Sequence, residues 1–315
     1  MKNEVLVKSP TRIDLAGGTL DCWPINAAMN PVSTINAAIS IYTSCGIKRR
    51  SDQKIVVYSK DWDTTFEFDN LEQALLSEDK NFQFFKEHIR YWSPSYGFEV
   101  ETSSESPVGG GLGGSSSLSI SIFKAFAELN GVDIESYEIV RICSGIEAKI
   151  LKTPTGTQDY FPPLLSGINI IDYEYGWPKV SVLPIETVEI SKNISIFFTG
   201  KSHHSGINNW QVIKKFIDGE GPTTKALSDL QEIAEDMKLA VQKSDWKVLP
   251  KLFQREYEVR LQLAESFSSP EIEKLAEVAL SNGGDAIKIC GAGGGGCVFI
   301  WSEPDKRSQV IEACE

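Results

Sequence analysis

Pro107-Val-Gly-Gly-Gly-Leu-Gly-Gly-Ser-Ser-Ser117 runs directly into Leu118-Ser-Ile-Ser-Ile-Phe-Lys-Ala-Phe-Ala127. Five glycines and three serines abut an apolar set with helical spacing: Leu118, Ile122, Ala125, Phe126 and Leu129. The stretch therefore reads as a side-chain-poor loop entering a helix N-terminus. Backbone N–H groups in such a loop can close on a ligand, and the helix start adds unpaired donors and a positive dipole end. Together they make an anion site, typically one for phosphate. A glycine-rich surface turn is the alternative reading. The serines, standing where N-cap residues belong, favour phosphate. A Walker loop is excluded, because it needs a Lys-Ser or Lys-Thr pair after its glycines and no lysine lies between Pro107 and Ser117. Phosphate charge would then be met by the helix end, a metal ion and a cation from elsewhere in the chain.

Outward from this stretch the pattern is mixed. Glu4–Pro10 and Thr11–Leu15 alternate as strands broken at the proline, followed by a turn at Ala16-Gly-Gly-Thr-Leu-Asp21. Strands are expected at 41–47, 54–59, 65–68 and 97–102, with a helix at 82–92. Downstream, Ile139, Ile142, Cys143, Ile146 and Ile150 mark a helical face over 137–151, with Glu147 at its border. Thr153–Pro162 reads as a loop from its prolines and glycine, before strands at 167–172, 180–183 and 194–198. Beyond Gly200 helices dominate, at 227–241 after Gly221-Pro222, at 248–264 and at 270–280. Strands return at 286–290 and 297–301. The expectation is an α+β chain in two domains, a mixed β/α domain over 1–192 and a more helical one over 193–315.

Composition narrows the class of function. A formal net charge of −12 argues against a nucleic-acid partner but allows one anion in a local positive pocket. No apolar run approaches the length of a membrane span, and the start lacks a secretory h-region. The six cysteines show no metal-like or Cys-x-x-Cys spacing, so reduced thiols in a cytoplasmic protein are expected.

A second glycine run, Gly291-Ala-Gly-Gly-Gly-Gly296, lies between Ile287-Lys-Ile and Val298-Phe-Ile-Trp301. Glycines between two buried strands imply close approach of a ligand or another backbone, more than a plain hairpin does.

Three stretches resemble the motifs of one family in order and spacing. Pro10-Thr-Arg-Ile-Asp-Leu-Ala-Gly-Gly-Thr-Leu-Asp21 is similar to the opening motif of the sugar-kinase branch of the GHMP kinases, named for galactokinase, homoserine kinase, mevalonate kinase and phosphomevalonate kinase. Pro107–Ser117 resembles their second motif and Lys288–Gly296 their third. The resemblance implies a two-domain kinase fold, with ATP and Mg²⁺ as cofactors. It implies nucleotide binding by Pro107, Gly109, Gly110, Gly111, Leu112, Gly113, Gly114, Ser115, Ser116 and Ser117, with Ser115 and Glu147 as the Mg²⁺ pair. Gly156-Thr-Gln-Asp-Tyr160 resembles the loop carrying the family's catalytic aspartate, making Asp159 the candidate base and Arg12 its cation. Substrate contacts are implied at Gly18, Thr19, Asp21, Asp159, Gly293 and Gly294. From the residues alone, Glu147 is equally a solvated helix carboxylate, Asp159 a turn-former and Arg12 structural. His203 and His204 read as a solvated loop or as part of the acceptor pocket. The adenine pocket is sought within Trp62–Trp92.

Arg12 in place of a lysine, together with Asp21, points to a sugar or sugar phosphate acceptor phosphorylated at the anomeric C1 hydroxyl. Galactokinases carry Glu-His-Thr where this chain has Gly18-Thr19-Leu20; Ala16-Gly-Gly and Gly156-Thr-Gln-Asp look closer to heptose-7-phosphate kinase and fucokinase. The alternatives are a mevalonate-type kinase and a non-catalytic ATP and sugar sensor. A monomer or homodimer is expected.

Overall fold

The computed structural model describes residues 2–183, 189–202, 205–291 and 293–315. His203 and His204 lie outside the described residues. The larger sheet has seven strands: β1 (Glu4–Ala16), β2 (Val32–Arg49), β3 (Ile55–Ser59), β4 (Thr64–Phe68), β5 (Phe98–Ser104), β6 (Ile168–Tyr173) and β7 (Lys179–Leu183). β2 is its spine. One edge pairs antiparallel with β1 from Glu4↔Lys48 to Ala16↔Ile35. The other edge takes β5 over Thr43–Arg49 and β6 over Val32–Ala37. β3 adds parallel to β5, and β4 and β7 close the two ends. A smaller sheet of order β8-β10-β9 is built from β8 (Ile194–Phe198), β9 (Gly284–Ile289) and β10 (Cys297–Ser302).

The helices are α1 (Ile25–Ala28), α2 (Leu71–Leu76), α3 (Gln83–Trp92), α4 (Gly114–Asn130), α5 (Ser136–Leu151), α6 (Phe161–Leu165), α7 (Ser205–Ile217), α8 (Gly221–Gln242), α9 (Leu249–Arg260), α10 (Pro270–Ser281) and α11 (Arg307–Cys314). α4 packs on β1 and β2, and α8 and α9 pack together, with α9 against β9. Ile120, Phe123, Leu227, Phe253 and Phe299 belong to one continuous buried cluster, so helices and both sheets share a core. The architecture is α+β, sheet-rich in the first half and helical in the second.

Several sequence expectations change. β1 is not broken at Pro10; it continues through a bulge, where the register steps from Pro10↔Tyr42 to Thr11↔Ile39. The bulge suits a residue with no N–H to give to the ladder. β2 starts at Val32, not at 41, because Val32–Ala38 are all buried and show no alternation to read. The helix expected over 248–264 is α9, which ends at Arg260. Thr153–Pro162 is not all loop: Gln158–Tyr160 form a 3₁₀ turn and α6 follows, with Pro162 and Pro163 in its first turn. α7 and α11 were not anticipated. At α4 the N-cap is Gly113, at φ 67° and without a side-chain cap bond, so Ser115, Ser116 and Ser117 lie inside the first turn. A positive φ is where glycine is favoured over serine.

Candidate active site

The three glycine-bearing stretches converge because β1, the loop before α4 and the β9–β10 turn meet edge to edge. Leu112 O accepts from Arg12 N at 3.0 Å, and Gly110 O accepts from Cys297 N at 2.7 Å. Arg12 is 4% exposed and ties them together. Its Nη1 donates to Gly111 O at 2.6 Å and to Cys290 O at 2.7 Å. Its Nε and Nη2 grip Asp159 Oδ1 and Oδ2 at 2.8 and 2.6 Å. This is the bidentate geometry of the strongest Arg–carboxylate pairs. Burial opposes the charge on Arg12, but Asp159 and Asp14 outweigh it and raise its pKa above the ordinary value.

A cavity of about 340 Å³ opens beside this pair. At one end Trp62, Phe84 and Phe85 form apolar walls, within the segment where an adenine pocket was sought. Along its middle run Pro107, Gly109–Gly111 and Gly113–Ser116, with the first turn of α4. Leu112 and Ser117 face elsewhere. Leu112 is in the core, and Ser117 donates to Ser9 O and Pro10 O and meets Thr43 Oγ1 at 2.8 Å. They support the loop from beneath. Gly114 brings the helix start against Ser106, whose Oγ would stand 3.1 Å from a Cβ there.

Glu147 projects from α5 to the same edge. Ser115 Oγ donates to its Oε1 at 3.1 Å and the Tyr160 hydroxyl to its Oε2 at 2.7 Å. Burial pushes the Glu147 carboxyl above its usual range, although both hydrogen bonds work against the shift. A half-buried carboxylate with hydroxyl partners is a hard-oxygen donor set that a dication would relieve, and it fits Mg²⁺.

At the far end stand Asp14, Gly18, Thr19, Asp21, Gln158 and Asp159. Gln158 N donates to Asp21 Oδ2 at 3.0 Å. A Cβ at Gly156 would come within 2.0 Å of Asp21 Oδ2, so only glycine lets the Asp159 loop close over this carboxylate. Burial drives Asp21 up to about 6, with the Gln158 bond opposing and the charges of Asp159 and Asp14 adding. Gly293 and Gly294 do not face this space: a Cβ on either would meet Phe267 O at 2.4 Å or Ser266 O at 2.6 Å. Their close approach is to protein backbone.

Two residues here were missed by sequence reasoning. Asn209 on α7 accepts from the Thr19 hydroxyl at 3.4 Å, and Arg260 at the end of α9 donates to Gly18 O at 3.1 Å. Both line the cavity, and only long-range packing brings them there.

The family model for the GHMP kinases N terminal domain matches residues 80–167, and that for the GHMP kinases C terminal domain matches 224–315; together they cover more than half the chain. The D-glycero-alpha-D-manno-heptose 7-phosphate kinase of Campylobacter jejuni is 28% identical, over 98% of this chain and 92% of its own. The galactokinase of Fusobacterium nucleatum is 23% identical over 96% of this chain and 87% of its own. The crystal structure of Lactococcus lactis galactokinase complexed with galactose superimposes with a TM-score of 0.81 at 20% identity, covering 99% of this chain and 89% of that one.

Proposed function

The chain belongs to the GHMP kinase family, and from that premise we propose that it is an ATP- and Mg²⁺-dependent kinase phosphorylating the anomeric C1 hydroxyl of a sugar or sugar phosphate. The observation that carries the reading is the bidentate Arg12–Asp159 pair, at the point where the glycine loop meets the Asp21 turn.

In this reading adenine lies between Trp62, Phe84 and Phe85. The N–H groups of 109–116 and the dipole of α4 hold the phosphates. Ser115 and Glu147 would hold Mg²⁺, which would supply a dication to offset the phosphate charge. Asp21 accepts hydrogen bonds from neighbouring sugar hydroxyls, beside Gly18 and Thr19. Asp159 takes the proton of the attacking hydroxyl as its oxygen bonds to the γ-phosphorus and the bond to the β-phosphate oxygen breaks. Both Asp159 oxygens are held by Arg12, yet a carboxylate has about four lone-pair sites, so accepting a further hydrogen bond needs no release of the arginine. Arg12 fixes the orientation of Asp159 through both carboxylate oxygens and steadies charge developing on the acceptor oxygen.

We assign nucleotide binding to 1–192 and closure of the acceptor side to 193–315, a division supported by β8 opening the second sheet at Ile194 and by Asn209 and Arg260 lining that end. Among the described residues no helix is long and apolar enough to cross a membrane. Six free cysteines, five of them buried, support a reducing compartment, the cytoplasm.

The test is ADP release with Mg-ATP across sugars, sugar phosphates and mevalonate, run beside Asp159→Ala. Turnover on one sugar that vanishes in the variant is the expected result. Turnover with mevalonate alone would sink the sugar reading, and ATP binding without turnover on any acceptor would favour a sensor.

A further inference from the structure

Two cationic side chains, Arg12 and Arg260, border the far end of the cavity and a third, Lys288, is buried behind them; each is already committed to a carboxylate. Arg12 holds Asp159 by two parallel hydrogen bonds. Arg260 Nε donates to Glu256 Oε1 at 2.7 Å, and Lys288 Nζ donates to Asp14 Oδ2 at 2.8 Å while standing 3.2 Å from Glu256. The last four are each no more than 2% exposed, so water does little to screen them. Burial works against the charge of Asp14, but Lys288 and Arg260 outweigh it and hold its carboxyl below the ordinary range. The three pairs cancel. Asp21 is left over: it is 4% exposed, its side chain is held by the backbone N–H of Gln158, and among the described residues no lysine, arginine or histidine lies within ion-pair distance of it.

We infer that the part of the acceptor enclosed at this end is uncharged and rich in hydroxyl groups, and that Asp14 and Glu256, by neutralising Lys288 and Arg260, exclude acceptors that would place a carboxylate or phosphate there. The inference rests on the proposed kinase reading for its choice of the acceptor end. It narrows that reading: a sugar phosphate enters only with its phosphate directed away from Asp21, and a short hydroxy acid is refused. An anion at this end would face a buried carboxylate with, among the described residues, no uncommitted cation to offset it, whereas a hydroxyl donates to the same carboxylate.

The experiment measures Kd by calorimetry on the full chain with ADP and Mg²⁺ present, using matched probes: mannose against mannuronate, galactose against galacturonate, and mevalonate. The neutral member of a pair is expected to bind at least about tenfold tighter, from like-charge juxtaposition alone. A uronate that binds as tightly as its sugar, mevalonate binding where no sugar does, or no binding by any neutral probe would overturn the inference. Glu256→Gln releases the charge of Arg260 and should narrow the neutral-to-anionic ratio by about threefold or more; a folded variant with an unchanged ratio removes Glu256 from the account. Should that variant not fold, Asp21→Asn deletes the unbalanced charge itself and must narrow the same ratio. ADP release read on the same probes separates the two claims, since neutral preference in binding without turnover defeats the kinase reading and supports this one.

Discussion

The two glycine runs have similar composition and different surroundings. In 109–114 the glycines face a cavity, and α4 begins from a glycine N-cap without a side-chain partner. In the second run, past Gly291 at the cavity wall, Gly294 N donates to Phe267 O and Gly296 N to Lys201 O. Cβ atoms at Gly293, Gly294 and Gly295 would all strike neighbouring backbone. The first run borders open space, which the proposed reading fills with nucleotide; the second is glycine so that the chain itself can pack closely. They also touch, because a Cβ on Gly291 would lie 2.8 Å from Gly111 Cα. Glycine density alone therefore does not identify a ligand loop; what surrounds the glycines does.

Substitutions can break this contrast or sharpen it. Arg12 is bonded to Gly111 in the first run and to Cys290 just ahead of the second, so Arg12→Ala should do the greatest damage, lowering kcat for ADP release by about a thousandfold or more through loss of a preorganised cation. Gly293→Ala attacks the second run alone. With φ at 70° and Phe267 O in the way, it should lower the free energy of unfolding by about 3 kcal/mol, read as a lower urea midpoint. An unchanged midpoint would mean that the packing is slack and the contrast unfounded.

Asp21 belongs to neither run and serves as a reference. Its carboxyl stands at about 6 in the folded chain against an ordinary 3.8, so between those values the native state holds a proton that the unfolded chain has released. Stability contributed by this group is therefore greatest below pH 4, falls as pH rises toward 6, and stays low above it. Asp21→Asn should remove that slope and raise stability at pH 7.5 by on the order of 2 kcal/mol, while weakening acceptor binding. Denaturation at pH 4 and pH 7.5, compared with the parent, checks the sign. The smallest effect is expected at the first run: Ser115→Ala should raise the Mg²⁺ concentration giving half-maximal activity about tenfold without moving the urea midpoint. A fall in the midpoint instead would assign Ser115 to holding Glu147.

Much of this was legible because the informative groups are local in sequence. The loop before α4, the Asp21 turn and the Asp159 turn each announce themselves within a dozen residues, and periodicity found α4, α5, α8 and α10. Arg12 and Asp159 lie 147 positions apart, and only the family resemblance paired them in advance. The quartet of Asp14, Glu256, Arg260 and Lys288 spans 274 positions; Glu256 and Arg260 are four apart on one helix, but nothing in the local pattern joins them to Asp14 or Lys288. Asn209 was hidden for the same reason, on a helix that had not been anticipated. The Pro10 break failed because a bulge absorbs a proline, and the start of β2 failed because a strand buried on both faces does not alternate.

The 18-residue β2 has a consequence for length variation in this chain. Its partners on both edges are fixed residue by residue, with Ala38 opposite Arg12, Ile35 opposite Ile170 and Ile47 opposite Val100. One inserted residue would swap the two faces of everything beyond it, sending apolar side chains toward water and shifting the strand that carries Arg12. Added sequence belongs instead at the tip between β6 and β7, where Tyr175 is 90% exposed and Gly176 already turns the chain at φ 97°. A peptide tag placed there should leave the catalytic geometry where it is, whereas the same tag inside 32–49 would cost the molecule its alignment.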